Sequence, residues 1–167
     1  MVEPRNVRVE AASLELLAAW IRDRDEFAQM IGCAIPEGWP EFEQGMSFVH
    51  GILERRPDEV VWWTQLFFDA DTGDLVGSGG YKGPPVDRTV EIGYEIAPAF
   101  RRQGWATAAT LVMTQRAFET GLVDVVIAHT LPEENDSTSV LRASGFEFAG
   151  EVQDPDDGVL WRWVRNR

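Results

Sequence analysis

Hydrophobic and polar positions change period several times along the chain, and each change marks an element. The stretch Thr89–Gly121 is the clearest. Val90, Ile92, Tyr94 and Ile96 alternate with polar or small residues until Pro98 removes a ladder donor, which predicts a strand. Beyond a short segment crowded with arginine and glycine, Ala108, Leu111, Val112, Gln115 and Phe118 fall on one face of a predicted helix. Gly121 suits its C-terminal stop. Upstream, Val7–Glu10 alternates as a first strand, and Ser13 is placed to cap a helix through Leu14, Leu16, Leu17, Trp20 and Ile21. Asp25–Pro40 reads as a short helix running into a loop at Gly32, Pro36 and Gly38. Helical spacing returns over Glu41–Arg56 through Phe42, Met46, Val49 and Leu53, with Pro57 as the stop.

The run Val60–Asp69 is dense in β-branched and aromatic residues, which predicts a strand. The turn Asp71–Asp74 leads to a partner strand, Leu75–Tyr81. Its glycines Gly77, Gly79 and Gly80 allow another backbone or a ligand to come close. With the strand ending at Ile96, these form an antiparallel meander. Val123–His129 is nearly continuous in apolar residues and suits a strand buried on both faces. A helix separates it from Val90–Ile96, so the two are expected to be parallel, joined by a right-handed crossover. A loop at Leu131–Asn135, a short helix Ser137–Ser144 ended by Gly145, and two strands around the turn Asp154–Gly158 complete the order.

Composition narrows this picture. At 167 residues, 44% of them hydrophobic, the chain fits one folded domain over 1–167. Its net charge of −13 argues against a broad nucleic-acid or anionic-membrane surface and suits a cationic partner such as an amine, or simply solubility. Cys33 is the only cysteine, so no intrachain disulfide or cysteine-based zinc site is expected, and no metal-ligand cluster stands out. The N-terminal residues lack a signal-like apolar run, and no stretch approaches the roughly 20 apolar residues of a membrane helix. The expectation is a soluble cytoplasmic protein.

The most informative chemistry lies in Arg101-Arg102-Gln103-Gly104-Trp105-Ala106. Small residues here let backbone N–H groups approach a ligand. Those groups open a helix, so they point outward with the positive dipole end behind them. That is a site for an anion, most naturally a phosphate, with two guanidinium groups beside it. Neither a nucleoside-triphosphate loop nor G-x-G-x-x-G is present.

The full order IGYEIAPAFRRQGWATAA resembles the central motif R/Q-x-x-G-x-G/A of the GNAT superfamily of acyl-coenzyme A-dependent N-acetyltransferases, matched by Arg101, Gly104 and Ala106. His129–Gly150 resembles a second motif, T-L-P-E-N-x-x-S-x-x-V-L-x-x-x-G-F, of the branch containing ribosomal-protein N-terminal acetyltransferases and their small-molecule relatives. Thr130, Leu131, Pro132, Glu133, Ser137, Val140, Leu141, Gly145 and Phe146 match in register; Glu134 holds the asparagine position and Asn135 follows it. The resemblance covers essentially the whole chain. It implies the GNAT fold: an α+β domain with a mostly antiparallel sheet of six to seven strands, one splayed parallel pair and about four helices. It also implies acetyl-coenzyme A as acyl donor, held by Tyr94, Glu95, Ile96, Arg101, Arg102, Gln103, Gly104, Trp105, Ala106, Thr107, Asn135 and Ser137. Dimers are common in the family, but nothing in the sequence specifies an interface.

Acetyl transfer to an amine makes three demands. An alkylammonium of pKa near 10.4 must lose a proton, the thioester oxygen needs a donor as it gains charge, and the thiolate benefits from a proton source. The resemblance nominates Glu91 as base, or else it is one of two glutamates on a solvated strand face. It nominates backbone N–H groups near Tyr94–Ile96 as oxyanion donors. Many relatives place a tyrosine in the helix after the fifth strand as acid. This chain has only Tyr81 and Tyr94, which leaves Ser137 (or a water), though Ser137 also suits the N-cap of that helix. Trp39, Phe42, Met46, Glu91 and His129 are the candidates for the acceptor pocket, with ordinary packing as the alternative for the apolar ones and for His129. The acceptor is then a small-molecule amine or a protein N-terminus. A non-catalytic acyl-coenzyme A-binding module is the competing reading, favoured by the missing tyrosine and the displaced asparagine.

Overall fold

A computed structural model describes residues 4–167. One seven-stranded sheet runs in the order β1-β2-β3-β4-β5-β7-β6. Its strands are β1 (Val7–Ala11), β2 (Thr64–Asp69), β3 (Leu75–Tyr81), β4 (Thr89–Ile96), β5 (Val125–Thr130), β6 (Glu147–Asp154) and β7 (Gly158–Asn166). All neighbours are antiparallel except β4 and β5, as a helical crossover between them requires. Five α-helices flank the sheet: α1 (Leu14–Arg22), α2 (Arg24–Ile31), α3 (Gln44–Arg55), α4 (Trp105–Glu119) and α5 (Asp136–Ala143).

The sheet separates two cores. Val90, Ile92, Val126 and Trp163 pack against Trp105, Ala109, Met113 and Ala117 of α4 and Leu141 of α5. On the other face Leu66, Phe68, Leu75 and Ala97 meet Leu17, Trp20, Phe27, Met46, Val49 and Leu53 of α1–α3. Ser13 caps α1 as expected, its Oγ accepting from the Leu16 amide at 3.0 Å. Asp23 then ends α1 in an extended conformation and caps α2 through its side chain, which separates the two helices expected before and after it.

Five local expectations are corrected. Pro57–Trp62 forms a 3-10 turn, and β2 starts only at Thr64. Pro57 presets the first helical position, and Trp63 Nε1 donates to Glu59 at 3.0 Å, which holds the aromatic run curled. The buried face of α4 is rotated from the predicted one. Leu111 and Gln115 are exposed, while Trp105, Ala109, Met113 and Ala117 carry the packing at intervals of four. On a helix this apolar overall, small Ala109 and Ala117 decide which side can sit close to the sheet. In β5, Val126, Ala128 and Thr130 are buried, but Val125, Ile127 and His129 are only half-buried, so one face stays accessible. Lastly, α5 is capped by Asn135 and not by Ser137, and α3 begins at Gln44, leaving Phe42 outside it.

Candidate active site

Residues Glu91 and Ile127 are the last hydrogen-bonded pair between β4 and β5. β4 continues to Ile96 and β5 to Thr130, so the two strands part and leave a gap. The Lys82 amide donates to the Glu91 carbonyl and the Ala97 amide to the Val76 carbonyl, both at 2.9 Å. Odd-numbered residues of β4 therefore direct their backbone groups to β3, and the amides of Tyr94 and Ile96 turn toward the gap.

A cleft of about 500 Å³ lies between the end of β4, the start of α4 and the start of α5. It is lined by Tyr94, Glu95, Ile96, Arg101, Arg102, Gly104, Trp105, Ala106, Thr107 and Ser137, all expected from the sequence, together with Glu41, Phe100, Asp136, Ser139 and Val140. Gly104 is the N-cap of α4 with φ 91°, a left-handed conformation that a side chain rarely tolerates. It offers no side chain for capping, and the first intrahelical bond is donated by Ala108 to the Gly104 carbonyl at 3.1 Å. The amides of Trp105, Ala106 and Thr107 are thus left without helical partners at the wall of the cleft. The other helix of the cleft is closed: Asn135 Oδ1 accepts from the Thr138 amide at 3.0 Å, and Thr138 Oγ1 accepts from the Asn135 amide at 3.0 Å.

Cations surround the open end. Arg101 Nε donates to the Ile96 carbonyl at 3.0 Å, and the exposed Arg102 lies 3.3 Å from Asp136. Arg5, which the sequence reading passed over, lies over the Trp105 ring and donates to the Gln103 carbonyl at 2.7 Å. Only tertiary structure could bring it there, from 98 residues away along the chain. Two expected residues fall outside the cleft lining. Gln103 points its amide to the Ala99 carbonyl, and Asn135 is committed to its cap.

A second cavity of about 450 Å³ lies on the opposite face of the sheet, between β3–β4 and α3. Phe42 and Met46 line it, with Pro40, Phe48, Val49, Trp63, Tyr81, Lys82 and Gly93. Trp39 does not. It is buried in the core, its Nε1 donating to Ser78 Oγ at 2.9 Å, so its assignment to the pocket is corrected to packing. Glu41, Tyr94 and Glu95 line both cavities and mark where they meet.

Glu91 and His129 line neither cavity and hold each other. Glu91 Oε1 accepts from Lys82 Nζ at 2.8 Å and faces His129 Nδ1 at 2.8 Å; Arg162 Nε donates to His129 Nε2 at 3.2 Å. A guanidinium donor at Nε2 puts the imidazole proton on Nδ1, toward Glu91. Partial burial raises the Glu91 pKa, but the hydrogen bonds from Lys82 and His129 outweigh it and hold the carboxyl below its usual range. Tyr94 donates its hydroxyl to the Ser137 carbonyl at 3.2 Å, and burial pushes its pKa up to about 12, so it stays protonated beside Ser137.

Residues 7–147 match the family model described as acetyltransferase (GNAT) domain. The chain belongs to the GNAT acetyltransferase family. It is an N-acetyltransferase by that membership, on the expected fold. Among curated proteins, none matches the sequence significantly. Solved structures share its fold at low identity. An acetyltransferase from Salmonella typhimurium that modifies the N-terminal serine of a 50S ribosomal subunit protein is 15% identical with a TM-score of 0.68, over 96% of this GNAT chain and 95% of its own. A mutant of spermidine N-acetyltransferase from Vibrio cholerae is 15% identical at 0.67, over 96% and 93%. The microcin C7 self-immunity acetyltransferase, solved with acetyl-CoA and AMP, is 14% identical at 0.66, over 96% and 92%.

Proposed function

We propose that this GNAT protein transfers the acetyl group of acetyl-coenzyme A to a primary amine by direct attack of the amine on the thioester. The observation that carries the reading is the open N-terminus of α4. Three unpartnered amides and a left-handed glycine face a cleft that reaches Tyr94–Ile96, the part of β4 beyond its last pair with β5. The residues present fit the coenzyme. Trp105, Ala106 and Thr107 would hold the pyrophosphate through backbone N–H groups, with Arg101, Arg102 and Arg5 supplying the local charge that an acidic chain otherwise lacks. When bound, the coenzyme supplies the activated acyl carbon. The chain supplies donors and a place for the amine: the amides of Tyr94 and Ile96 face the gap where a carbonyl oxygen would gain charge. Ser137 and the protonated Tyr94 stand on the same wall as candidate proton sources for the thiolate.

The acceptor enters from the other cavity, so donor and acceptor approach from opposite faces of the sheet and meet at the splay. Family members that resemble this chain in fold are described as acting on a protein N-terminus or on spermidine, and either class of amine is compatible with acetyl transfer here. The test is release of free thiol from acetyl-coenzyme A in the presence of an amine panel. Acceptor-dependent release is expected. Tight coenzyme binding with no release for any amine would instead support a binding module without chemistry.

A further inference from the structure

We propose that the cavity between β3–β4 and α3 accepts an amine carried on an apolar or aromatic body, and that Glu95, not Glu91, receives the proton of that amine. This rests on the acetyl-transfer reading and makes its acceptor side specific. The two glutamates occupy the same face of β4, separated by Gly93. A Cβ at Gly93 would meet nothing closer than the Lys82 chain at 3.7 Å, so the floor between them is open. Of these two, Glu95 alone reaches the junction of the cavities, beside Glu41 and Tyr94.

Its surroundings suit a proton acceptor. Glu95 Oε2 accepts from the Glu41 amide at 3.0 Å, which fixes the carboxylate, and among the described residues no cation forms an ion pair with it. Ser78, paired with it across the strands, is itself held by Trp39 Nε1. The charged groups facing Glu95 are Glu41, on the loop before α3, and Arg101, in the loop before α4. Burial is the main influence and, with the Glu41 charge, raises the carboxyl; the Glu41 amide, Ser78 and Arg101 reduce the rise without cancelling it. Glu91, by contrast, has both a lysine and a histidine on one oxygen.

The acceptor's body is read from the rest of the lining. Phe42 and Phe48 are exposed at the rim, and Met46, Val49, Trp63 and Tyr81 stand behind them. Apolar walls that end at Glu41 and Glu95 are complementary to an ammonium on an apolar frame. Glu95 takes one proton from the ammonium and passes it to water. The freed nitrogen lone pair bonds to the thioester carbon, and the C–S bond breaks with its electron pair on sulfur. The second nitrogen proton goes to that thiolate, giving the N-acetyl amine, coenzyme thiol and one released proton.

The experiment compares wild type, Glu95→Gln and Glu91→Gln on 2-phenylethylamine, ethylamine and spermidine, with acetyl-coenzyme A binding followed by calorimetry. For Glu95→Gln a fall in kcat of about 100-fold is expected, with coenzyme Kd unchanged within about threefold. Its kcat/KM should keep climbing toward the pKa of the free amine, while wild type levels off at lower pH. Wild type should prefer 2-phenylethylamine over ethylamine and spermidine by at least about tenfold in kcat/KM. A Glu95→Gln enzyme with the wild-type rate and pH profile would overturn the assignment of the base. Preference for spermidine or ethylamine would overturn the acceptor class. Either result leaves acetyl transfer standing, whereas absence of turnover in wild type removes both readings.

Discussion

Glu91 and Glu95 are the same residue type on one face of one strand, four positions apart, and the fold gives them opposite electrostatic fates. Glu91 sits where β4 and β5 still pair, so β5 delivers His129 and the turn just after β3 delivers Lys82 to its carboxylate. Glu95 sits where those strands have parted; its carboxylate accepts from a backbone amide, and Ser78 is its partner across the strands. Burial alone pushes both carboxyls up; partners reverse the sign at Glu91 and not at Glu95. A paired carboxylate supports structure, while a desolvated one facing open space is available for chemistry.

The largest expected effect removes the donor without touching either glutamate. Gly104→Val forces a β-branched residue into φ 91° at the mouth of the cleft, and acetyl-coenzyme A affinity should fall at least about 100-fold by calorimetry. Next is the structural role of Glu91. Glu91→Gln leaves Lys82 and His129 without their shared anion and should lower unfolding free energy by about 1–2 kcal/mol at pH 7 in urea. Glu95→Gln should change it by less than about 0.5 kcal/mol, or raise it, because no ion pair is lost.

Acid sharpens the contrast, since the two linkages have opposite sign. Glu91 has a lowered folded pKa, so its contribution is complete above the ordinary carboxylate pKa near 4.5 and is lost as pH falls below it. Glu95 has a raised folded pKa, so its ionisation weakens the fold as pH rises from about 4.5 through the folded value. Urea titrations at pH 4 and pH 7 should therefore show the Glu91→Gln penalty shrinking at pH 4. Any gain from Glu95→Gln should appear only at the higher pH. The smallest effect is expected from Lys82→Met, which removes one of the two donors to Glu91. The Glu91 pKa followed by carbon NMR should move up, with a smaller stability loss than Glu91→Gln.

The open start of α4 is legible in the sequence because it is local. Strand, loop and helix are contiguous in the chain, so alternation in Val90–Ile96, the position of Gly104 and the absence of a capping side chain together specify an open helix terminus. Arg5 carries no local signal, since its contact with the Gln103 carbonyl depends on where β1 docks in the sheet. The role given to Asn135 was a resemblance, and the structure assigns its side chain to the helix cap. Trp39 and Phe42 looked alike as aromatics near a loop. Their separation into core and pocket rim depended on which of them could reach Ser78.

The amino-acid order by itself determined the sequence of elements, the parallel crossover and the uncapped helix start at Gly104, because alternation, capping and glycine freedom act over a few residues. Which face of α4 packs, where β4 and β5 part, and which of two glutamates keeps a cation were decided by tertiary structure. Those outcomes depend on groups brought together across the sheet, and the free energy of a charge depends on what surrounds it in space.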